Sequence, residues 1–134
     1  MDASLLYYHL SELSTVQGMA RVAIGVNLRW RDERLAWSPE EMGGCVSTST
    51  YASLDAEKTS IWVPDFDLIN QMGGGLHSFS DRYAEVFANG EINWFRYGGS
   101  FEAICGFTGL ERFPYDTLEC TMDLLWQCFR NTKN

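Results

Sequence analysis

The stretch RVAIGVNLRW, residues 21–30, decides the fold class of this chain. Its large apolar side chains recur at every second position, and the residues between them are small or polar. Alternation with a period of two is typical of a β-strand that buries one face, whereas a helix would scatter the same apolar residues around its axis. We therefore expect the apolar residues to face a core: Val22, Ile24, Val26, Leu28 and Trp30.

Short apolar runs separated by turn residues flank this strand on both sides. The preceding run SLLYYHLSEL (residues 4–13) could suit a strand or a short helix. The polar, Gly-containing segment after it predicts a turn, which favours a strand before the turn and a strand after it. The segment SPEEMGGCVSTST (residues 38–50) contains one Pro and two Gly residues and predicts a loop. TSIWVP (residues 59–64) predicts a short strand that stops at Pro64.

The second half of the chain continues the pattern of short strands. YAEVFANGEINWF (residues 83–95) predicts a hairpin in which Asn89 and Gly90 form a two-residue type I′ turn. Further strands are predicted within residues 100–107 and 120–129. Many short strands with turn signals between them indicate an all-β sandwich or barrel. The length fits a single domain over residues 1–134.

Charge and hydropathy limit the partners of the chain. The formal net charge is −8, which repels the phosphates of nucleic acids, so we expect no nucleic acid partner. No apolar run is long enough for a transmembrane helix. The first residues lack the basic start and the long apolar run of a signal peptide. We therefore expect neither kind of segment in this chain.

Catalysis and metal binding have little support in the sequence. The two histidines lie far apart and no Cys-x-x-Cys pair occurs, so a zinc site is not expected. Nothing assembles a nucleophile with a base, or two carboxylates with an orienting partner. We expect no enzyme, no cofactor and no metal. The four cysteines allow three full pairings, and spacing alone does not choose among them.

Four separated motifs need a common explanation. They are WRDERLAW (residues 30–37), IWVPDFDLIN (61–70), GEINW (90–94) and CGFTGLERFPYDTLEC (105–120). In this order and at these separations, they resemble the extracellular ligand-binding domain of the Cys-loop, pentameric neurotransmitter-gated ion channels. The first three motifs match the family at Trp30, Asp32, Leu35, Trp37, Trp62, Pro64, Asp65, Asn70, Gly90 and Trp94.

These motif residues also have a physical interpretation that needs no family. Large indole rings are most simply core residues, because burying each ring stabilises the fold by a few kcal/mol. Asp32 and Asp65 stand beside tryptophans and turns. A carboxylate at such a position usually accepts backbone N–H groups and fixes a loop.

The resemblance implies a fold, a partner and a location. The fold is an immunoglobulin-like β-sandwich, incomplete here at about seven of ten strands, so the domain would be partial. The function is to bind a small neurotransmitter-like ligand between homologous subunits of a pentamer. The domain would lie on the extracellular face of a membrane, beside a pore domain that this chain does not contain.

The fourth motif implies a disulfide bond and a gating role. By the resemblance, Cys105 pairs with Cys120. In the family, the loop between these cysteines touches the membrane part and helps to transmit ligand binding to the pore. That role falls here to Phe113, Pro114, Tyr115 and Asp116.

The family's ligand contacts fall on residues that lack the usual rings. The aromatic position on the strand before Trp30 falls at Gly25, a tyrosine position at Ile69 and a tryptophan position at Gln127. Because aromatic faces attract cations, the missing rings disfavour acetylcholine-like recognition. Loop packing is the more common role for residues on the family's complementary face. That face falls on Asn93, Phe95 and Tyr97.

Two alternatives to a channel subunit remain open at this point. One is a soluble ligand-binding protein of the same fold, which the lack of a transmembrane segment favours. The other is a truncated, non-binding or regulatory subunit without channel activity, which the missing rings favour.

Overall fold

The structure, a computed structural model, consists of antiparallel strands joined by turns. It describes residues 1–68, 79–80, 82–106, 110–112, 114–117 and 119–127. The strands are β1 (Asp2–Ser14), β2 (Met19–Arg31), β3 (Ser47–Ala52), β4 (Asp65–Leu68), β5 (Arg82–Phe87), β6 (Glu91–Ile104) and β7 (Leu124–Gln127). Short 3₁₀ turns occupy Glu33–Leu35 and Leu110–Arg112.

The described strands form two sheets. The larger has five strands in the order β1-β2-β6-β5-β3, and the smaller pairs β4 with β7. All neighbours are antiparallel. The core lies between the sheets, where Phe66 of β4 is 2% exposed and its ring centroid lies 5.4 Å from that of Phe79. The predicted all-β sandwich is confirmed.

The central strand β2 behaves as its alternation predicts. It pairs with β1 along one edge and with β6 along the other. Its apolar positions are at most 7% exposed, so the predicted inward face is confirmed. β6 supplies the facing set of inward residues, in which Ile92 and Trp94 are fully buried. Two long strands that share one buried face therefore form the centre of the domain.

A buried arginine on β6 connects the larger sheet to the smaller one. Arg96 is 0% exposed. Its guanidinium donates to the carbonyl oxygens of Phe66 at 3.4 Å and Phe79 at 3.1 Å. The guanidinium carbon also lies 4.5 Å from the ring centroid of Trp94. A planar, charged donor suits this position because it can stack on a ring and bond two carbonyl groups at once.

Two of the predicted segment boundaries are wrong. Residues 59–64 form no strand, and β4 begins only after Pro64. Proline has no N–H for a sheet ladder, and the Thr59 side chain forms a local turn by donating to the carbonyl of Ile61 at 2.9 Å. The loop predicted for residues 38–50 ends early, because its last four residues pair with β5 as part of β3.

The second half of the chain holds fewer separate strands than predicted. Residues 100–104 continue β6, which runs without interruption from Glu91 to Ile104. The last predicted strand forms as β7, and it starts at Leu124. The long β6 therefore covers the full length of its partner β2.

The predicted hairpin between β5 and β6 is confirmed, but its turn type is wrong. Only glycines have a positive φ among the described residues, and Gly90 has φ +80°. Asn89 is thus outside the left-handed region that a type I′ turn requires at both central positions. Residues 88–90 form the connection, which Gly90 closes by donating to the carbonyl of Phe87 at 2.8 Å. A left-handed residue at its end is typical of a three-residue hairpin loop.

We expect Gly90→Ala to destabilise the fold more than Gly43→Ala. Both glycines have a positive φ, where an alanine is strained by about 1–2 kcal/mol. A Cβ atom at Gly90 would also lie 2.6 Å from the carbonyl oxygen of Asp32, whereas one at Gly43 meets nothing within 4 Å. Urea unfolding of both variants measures the difference, and equal losses would contradict it.

Candidate functional site

The outward face of the larger sheet carries the predicted complementary-face residues. Asn93, Phe95 and Tyr97 alternate with the buried residues of β6 and are half-buried. Their register partners on β2 are, in the same order, Arg29, Asn27 and Gly25. The structure therefore places all three residues on one face. Their spacing along β6 spreads them over about 13 Å, at about 3.3 Å per residue.

A tyrosine that the sequence analysis missed lies over Gly25. Tyr7 on β1 and Tyr97 on β6 are both register partners of Gly25. A Cβ atom on Gly25 would lie 2.3 Å from Cε1 of Tyr7, so the ring occupies the space that a side chain would need. The ring centroids of Tyr7 and Tyr97 are 5.9 Å apart. The ring that the resemblance expects at Gly25 is thus supplied by the neighbouring strand.

Local electrostatics keep the Tyr7 phenol neutral. Burial raises its pKa, and its interaction with Tyr97 raises the pKa further, while the cation of Arg82 opposes both. Arg82 itself lies with its guanidinium carbon 5.7 Å from the ring centroid of Phe95. The face therefore offers the protonated phenol of Tyr7 and several ring faces. At its far end, Oδ1 of Asn93 is a buried acceptor without a hydrogen-bond partner among the described residues.

Gln127, another predicted ligand position, does not join this face. Gln127 ends β7, where its backbone pairs with Asp65 in the smaller sheet. Ile69 lies outside the described residues, and so does Asn70 of the second motif. The structure therefore brings together the positions on β1, β2 and β6, and it places Gln127 in a different sheet.

Asp32 fixes the turn that follows β2, as the sequence predicts. Its Oδ1 accepts from the backbone N–H of Arg34 at 3.1 Å. The Arg34 guanidinium donates to both carboxylate oxygens, at 2.9 and 2.7 Å. Hydrogen bonding from Arg34 holds the pKa of Asp32 below its ordinary value, although burial opposes this. Asp32 is therefore a compensated, structural carboxylate.

The first three motifs meet at one end of the sandwich. The N–H of Asp32 donates to the carbonyl of Gly90, and the N–H of Trp37 donates to that of Ala88, both at 2.9 Å. The ring centroids of Trp30 lie 6.2 Å from Trp62 and 6.4 Å from Trp94. The predicted core role of the tryptophans is confirmed: Trp30 and Trp94 are buried, and Trp37 and Trp62 pack against the core.

The fourth motif forms a disulfide loop, residues 105–120, at the opposite end. The Cys105–Cys120 bond implied by the resemblance is present, with the Cα atoms 4.8 Å apart. The N–H of Cys105 donates to the carbonyl of Gly18 at 2.8 Å. The base of the disulfide loop is thus attached to the turn between β1 and β2.

Three of the predicted gating residues, Pro114, Tyr115 and Asp116, lie in or beside a compact turn inside the disulfide loop. Oδ2 of Asp116 accepts from the N–H of Arg112 at 2.9 Å, and the N–H of Tyr115 donates to the carbonyl of Arg112 at 2.8 Å. Pro114 is exposed, and Tyr115 is 90% exposed. Phe113 lies outside the described residues. The turn therefore presents a large ring to its surroundings.

The described part of the chain has no group of three or more His, Cys, Asp and Glu side chains placed to hold a metal ion. None of its helices is long and apolar enough to cross a membrane. Cys45 is an exposed free thiol.

Known proteins are similar to this chain in sequence. The sequence model of the neurotransmitter-gated ion-channel ligand binding domain family matches residues 2–132. The chain is 25% identical over 114 residues to an acetylcholine receptor subunit beta of Xenopus laevis, covering 85% of this chain and 22% of the relative. It is 31% identical over 97 residues to the Rattus norvegicus subunit of the same name, covering 72% of this chain and 18% of the relative.

A relative named for a different transmitter has about the same sequence identity to this chain as the two acetylcholine receptor subunits do. A gamma-aminobutyric acid receptor subunit beta of Lymnaea stagnalis is 31% identical over 111 residues, covering 77% of this chain and 21% of the relative. The chain thus spans about a fifth of the length of the curated relatives it matches. The comparisons therefore bear on this one domain.

We expect Tyr97→Phe to lower the pKa of Tyr7 towards its ordinary value. The substitution removes the phenol that interacts with Tyr7, while burial of the Tyr7 ring is kept. Carbon-13 labelling of the tyrosine rings allows the titration to be followed by NMR. Tyr8→Phe is the matched control, because Tyr8 is more exposed at 66% and points to the other face of β1. An unchanged Tyr7 pKa in Tyr97→Phe would contradict the contact.

The raised pKa of Tyr7 has a consequence for stability at high pH. Folding favours the protonated phenol, so its contribution is complete below the ordinary tyrosine pKa of about 10. It is lost as the pH rises through the folded-state value. We expect Tyr7→Phe to remove part of the alkaline loss of stability, measured by urea unfolding at several pH values. An identical pH profile in the variant would contradict this.

Arg34→Gln should raise the pKa of Asp32 and lower stability at neutral pH. The pKa of Asp32 is depressed in the folded state, so its contribution is present above the ordinary value of about 4 and disappears as the pH falls through the folded value. Because the Arg34 side chain is 81% exposed, solvent screening should keep this loss of stability small. Arg31→Gln is the control, and a loss that persists in acid would refute the assignment.

Proposed function

The chain belongs to the neurotransmitter-gated ion-channel ligand-binding domain family, and we propose that it is the extracellular ligand-binding domain of a pentameric channel subunit. In this role it binds a small neurotransmitter-like ligand where two homologous subunits meet. The observation that carries the proposal is the pair of rings, Tyr7 and Tyr97, on either side of Gly25. Ion conduction is assigned to a membrane domain acting with this one.

The ring pair favours a ligand with a positive charge. Aromatic faces attract cations, and the effect grows when water is excluded. The acidic balance of the chain, −8, acts in the same direction. Two of the relatives are named for acetylcholine and gamma-aminobutyric acid, and both molecules carry a cationic nitrogen. The ring of Tyr7 thus provides the aromatic face for a cation that the glycine at position 25 lacks.

The outward face of β2 and β6 is the surface proposed to meet the neighbouring subunit. Phe95 and Tyr97 are half-buried and carry rings that a partner can cover. Such a partner would supply the remaining walls of the ligand site, because Gln127 lies in the smaller sheet. The proposed site is therefore shared between two subunits.

The disulfide loop is proposed to pass the effect of the ligand towards the membrane. Its base is bonded to Gly18 in the turn between β1 and β2, and β1 also carries Tyr7. Tyr115 is 90% exposed on the loop. A shift of β1 at the ligand site would act on this turn and, through it, on the disulfide loop. Tyr115 is then the ring that contacts the membrane domain.

Tyr7→Ala should weaken binding of a cationic transmitter by on the order of tenfold. Loss of one cation–π contact removes about 1–2 kcal/mol, and 1.4 kcal/mol is a factor of ten. The probes are acetylcholine and gamma-aminobutyric acid, titrated into the full chain in its assembled state, which light scattering determines. The readout is the carbon-13 ring signal of Tyr97.

The control variant for this titration is Tyr51→Ala. Tyr51 is another exposed tyrosine of the larger sheet and contacts the ring of Tyr83 at 5.5 Å, but it lies on the opposite edge strand. We expect its removal to leave affinity unchanged. The proposal fails if neither probe gives a saturable shift in the assembled protein, or if the two variants weaken binding equally.

A further inference from the structure

The first strand of the larger sheet presents an apolar face that the described residues leave uncovered. β1 lies at the edge of this sheet, and its register partners on β2 show which of its side chains face inward. The four large inward residues of β1 lie beside buried residues of β2, yet they are themselves 42% to 66% exposed: Leu5, Tyr8, Leu10 and Leu13. Apolar residues that are exposed in a row, rather than singly, indicate an interaction surface.

Part of this face borders an open groove beside the base of the disulfide loop. The groove has a volume of about 300 Å³. Tyr8, Leu10 and Leu13 line it on the side of β1, and Cys120 and Met122 line it on the other side. Among the described residues, its lining contains no Asp, Glu, Lys, Arg or His side chain. The inward face of β1 is therefore both exposed and free of charge.

The two edges of the larger sheet differ in length and in polarity. β3, at the far edge, has six residues, and its first four are Ser or Thr. β1 has thirteen residues and a largely apolar inward face. Short, polar or charged edge strands discourage pairing with another sheet, whereas the free N–H and C=O groups of a long edge strand are a template for it. Of the two edges, β1 is thus the one suited to accept another strand.

The inward face of β1 is complementary to a second copy of itself in the antiparallel direction. We count positions by their partners on β2, which includes the two register shifts of β1. With the two-fold axis at His9, Leu5 would lie opposite Leu13 of the second copy, and Tyr8 opposite Leu10. Directly opposed residues of antiparallel strands share a face and have Cβ atoms about 4.5–5.5 Å apart. Each large inward residue would therefore meet another apolar residue.

The outward face of β1 fits the same arrangement. In this register Tyr7 would lie opposite Glu12 of the second copy, and Ser4 opposite Ser14. Like charges in direct opposition destabilise a strand pair, and at neutral pH this register opposes none. Glu12 is also compensated within its own copy, by Arg21 at 2.8 Å. The local charges of β1 therefore permit pairing, although each copy carries a net charge of −8.

We propose that β1 is an interface at which two copies of this chain pair edge to edge, so that their larger sheets become continuous. The overlap from Ser4 to Ser14 covers nine ladder positions, or about 30 Å. A sheet about 10 Å thick then buries roughly 300 Å² on each copy. A standard stable interface buries about 800 Å² per partner, so the dimer is weak and reversible.

This inference does not rest on the proposed function. The proposed subunit contact uses the outward face of β2 and β6, whereas the dimer uses the free edge of β1. The pairing also closes with two copies, because its two-fold axis leaves β3 as the free edge among the described strands of each larger sheet. The expected product is a dimer and not a fibre.

The first test places a cysteine on the two-fold axis. Opposed residues of antiparallel strands have Cα atoms about 4.5–5.5 Å apart, which is within the range of a disulfide bond. His9→Cys is made in a Cys45→Ser chain, because Cys45 is an exposed free thiol. Under mild oxidation we expect a covalent dimer, and mass spectrometry of its peptides should locate the bond at position 9.

The matched control for the cross-link is Ser4→Cys in the same background. Position 4 is exposed on the same face of β1 but lies opposite position 14 of the second copy. Ser4→Cys alone should cross-link on the order of tenfold more slowly than His9→Cys, because the dimer does not raise the effective concentration of its two thiols. A mixture of Ser4→Cys and Ser14→Cys chains should form the mixed dimer.

A second test measures the dimer without a cross-link, by sedimentation equilibrium over a range of concentrations. Leu10→Lys should weaken association on the order of tenfold, because an inward-pointing charge on an edge strand opposes pairing. Its control is Thr48→Lys, which puts the same side chain on the other edge strand, opposite the buried Val86. Thr48→Lys should associate as the wild type does.

Three results would overturn the inference: a chain that stays monomeric at every concentration, equal cross-linking of His9→Cys and Ser4→Cys, or equal loss of association in Leu10→Lys and Thr48→Lys. Association that Phe95→Lys abolishes and Leu10→Lys leaves unchanged would also overturn it. That last result would instead support the outward face of the sheet as the contact between subunits, so the two proposals fail separately.

Discussion

The placement of one charged side chain in the core constrains the rest of this domain. Burying a guanidinium is unfavourable unless its donors and its charge are compensated. Arg96 meets part of this requirement with carbonyl groups of Phe66 and Phe79 and with the ring of Trp94. The two carbonyls come from segments outside the larger sheet, so the requirement fixes where those segments lie. Ser80 supports the arrangement by donating its N–H to the carbonyl of Tyr97 at 2.8 Å.

The aromatic contacts extend from this arginine towards both ends of the sandwich. On one side, the ring of Phe79 packs on Phe101 with centroids 4.9 Å apart. On the other, Trp94 contacts Trp30, and Trp30 contacts Trp62 at the rim. Interiors are close-packed and transmit strain. The core and the end of β2 are thus connected by continuous contacts between aromatic rings.

The sequence predicted the features that depend on local pattern. The alternation of β2 survives in the fold because one of its faces is buried along its whole length. Features that depend on partners were missed. Residues 47–50 were predicted as a loop but pair with β5, and the burial of Arg96 was not predicted. The turn at Gly90 was misjudged because Asn-Gly suits two hairpin geometries, and the register of β5 and β6 chooses between them.

The candidate site was predictable to a similar extent. The shared face of Asn93, Phe95 and Tyr97 follows from period two. Tyr7 could not be placed, because a register shift between Leu5 and Tyr7 changes which residue of β1 opposes Gly25. A bulge of this kind cannot be recognised from the hydrophobic pattern.

The close contact between the ring of Tyr7 and Gly25 also restricts how these two positions can evolve, because the ring fills the space that a side chain at position 25 would need. Among descendants of this domain, a larger residue at position 25 requires a smaller residue at position 7, so substitutions at the two positions must occur together.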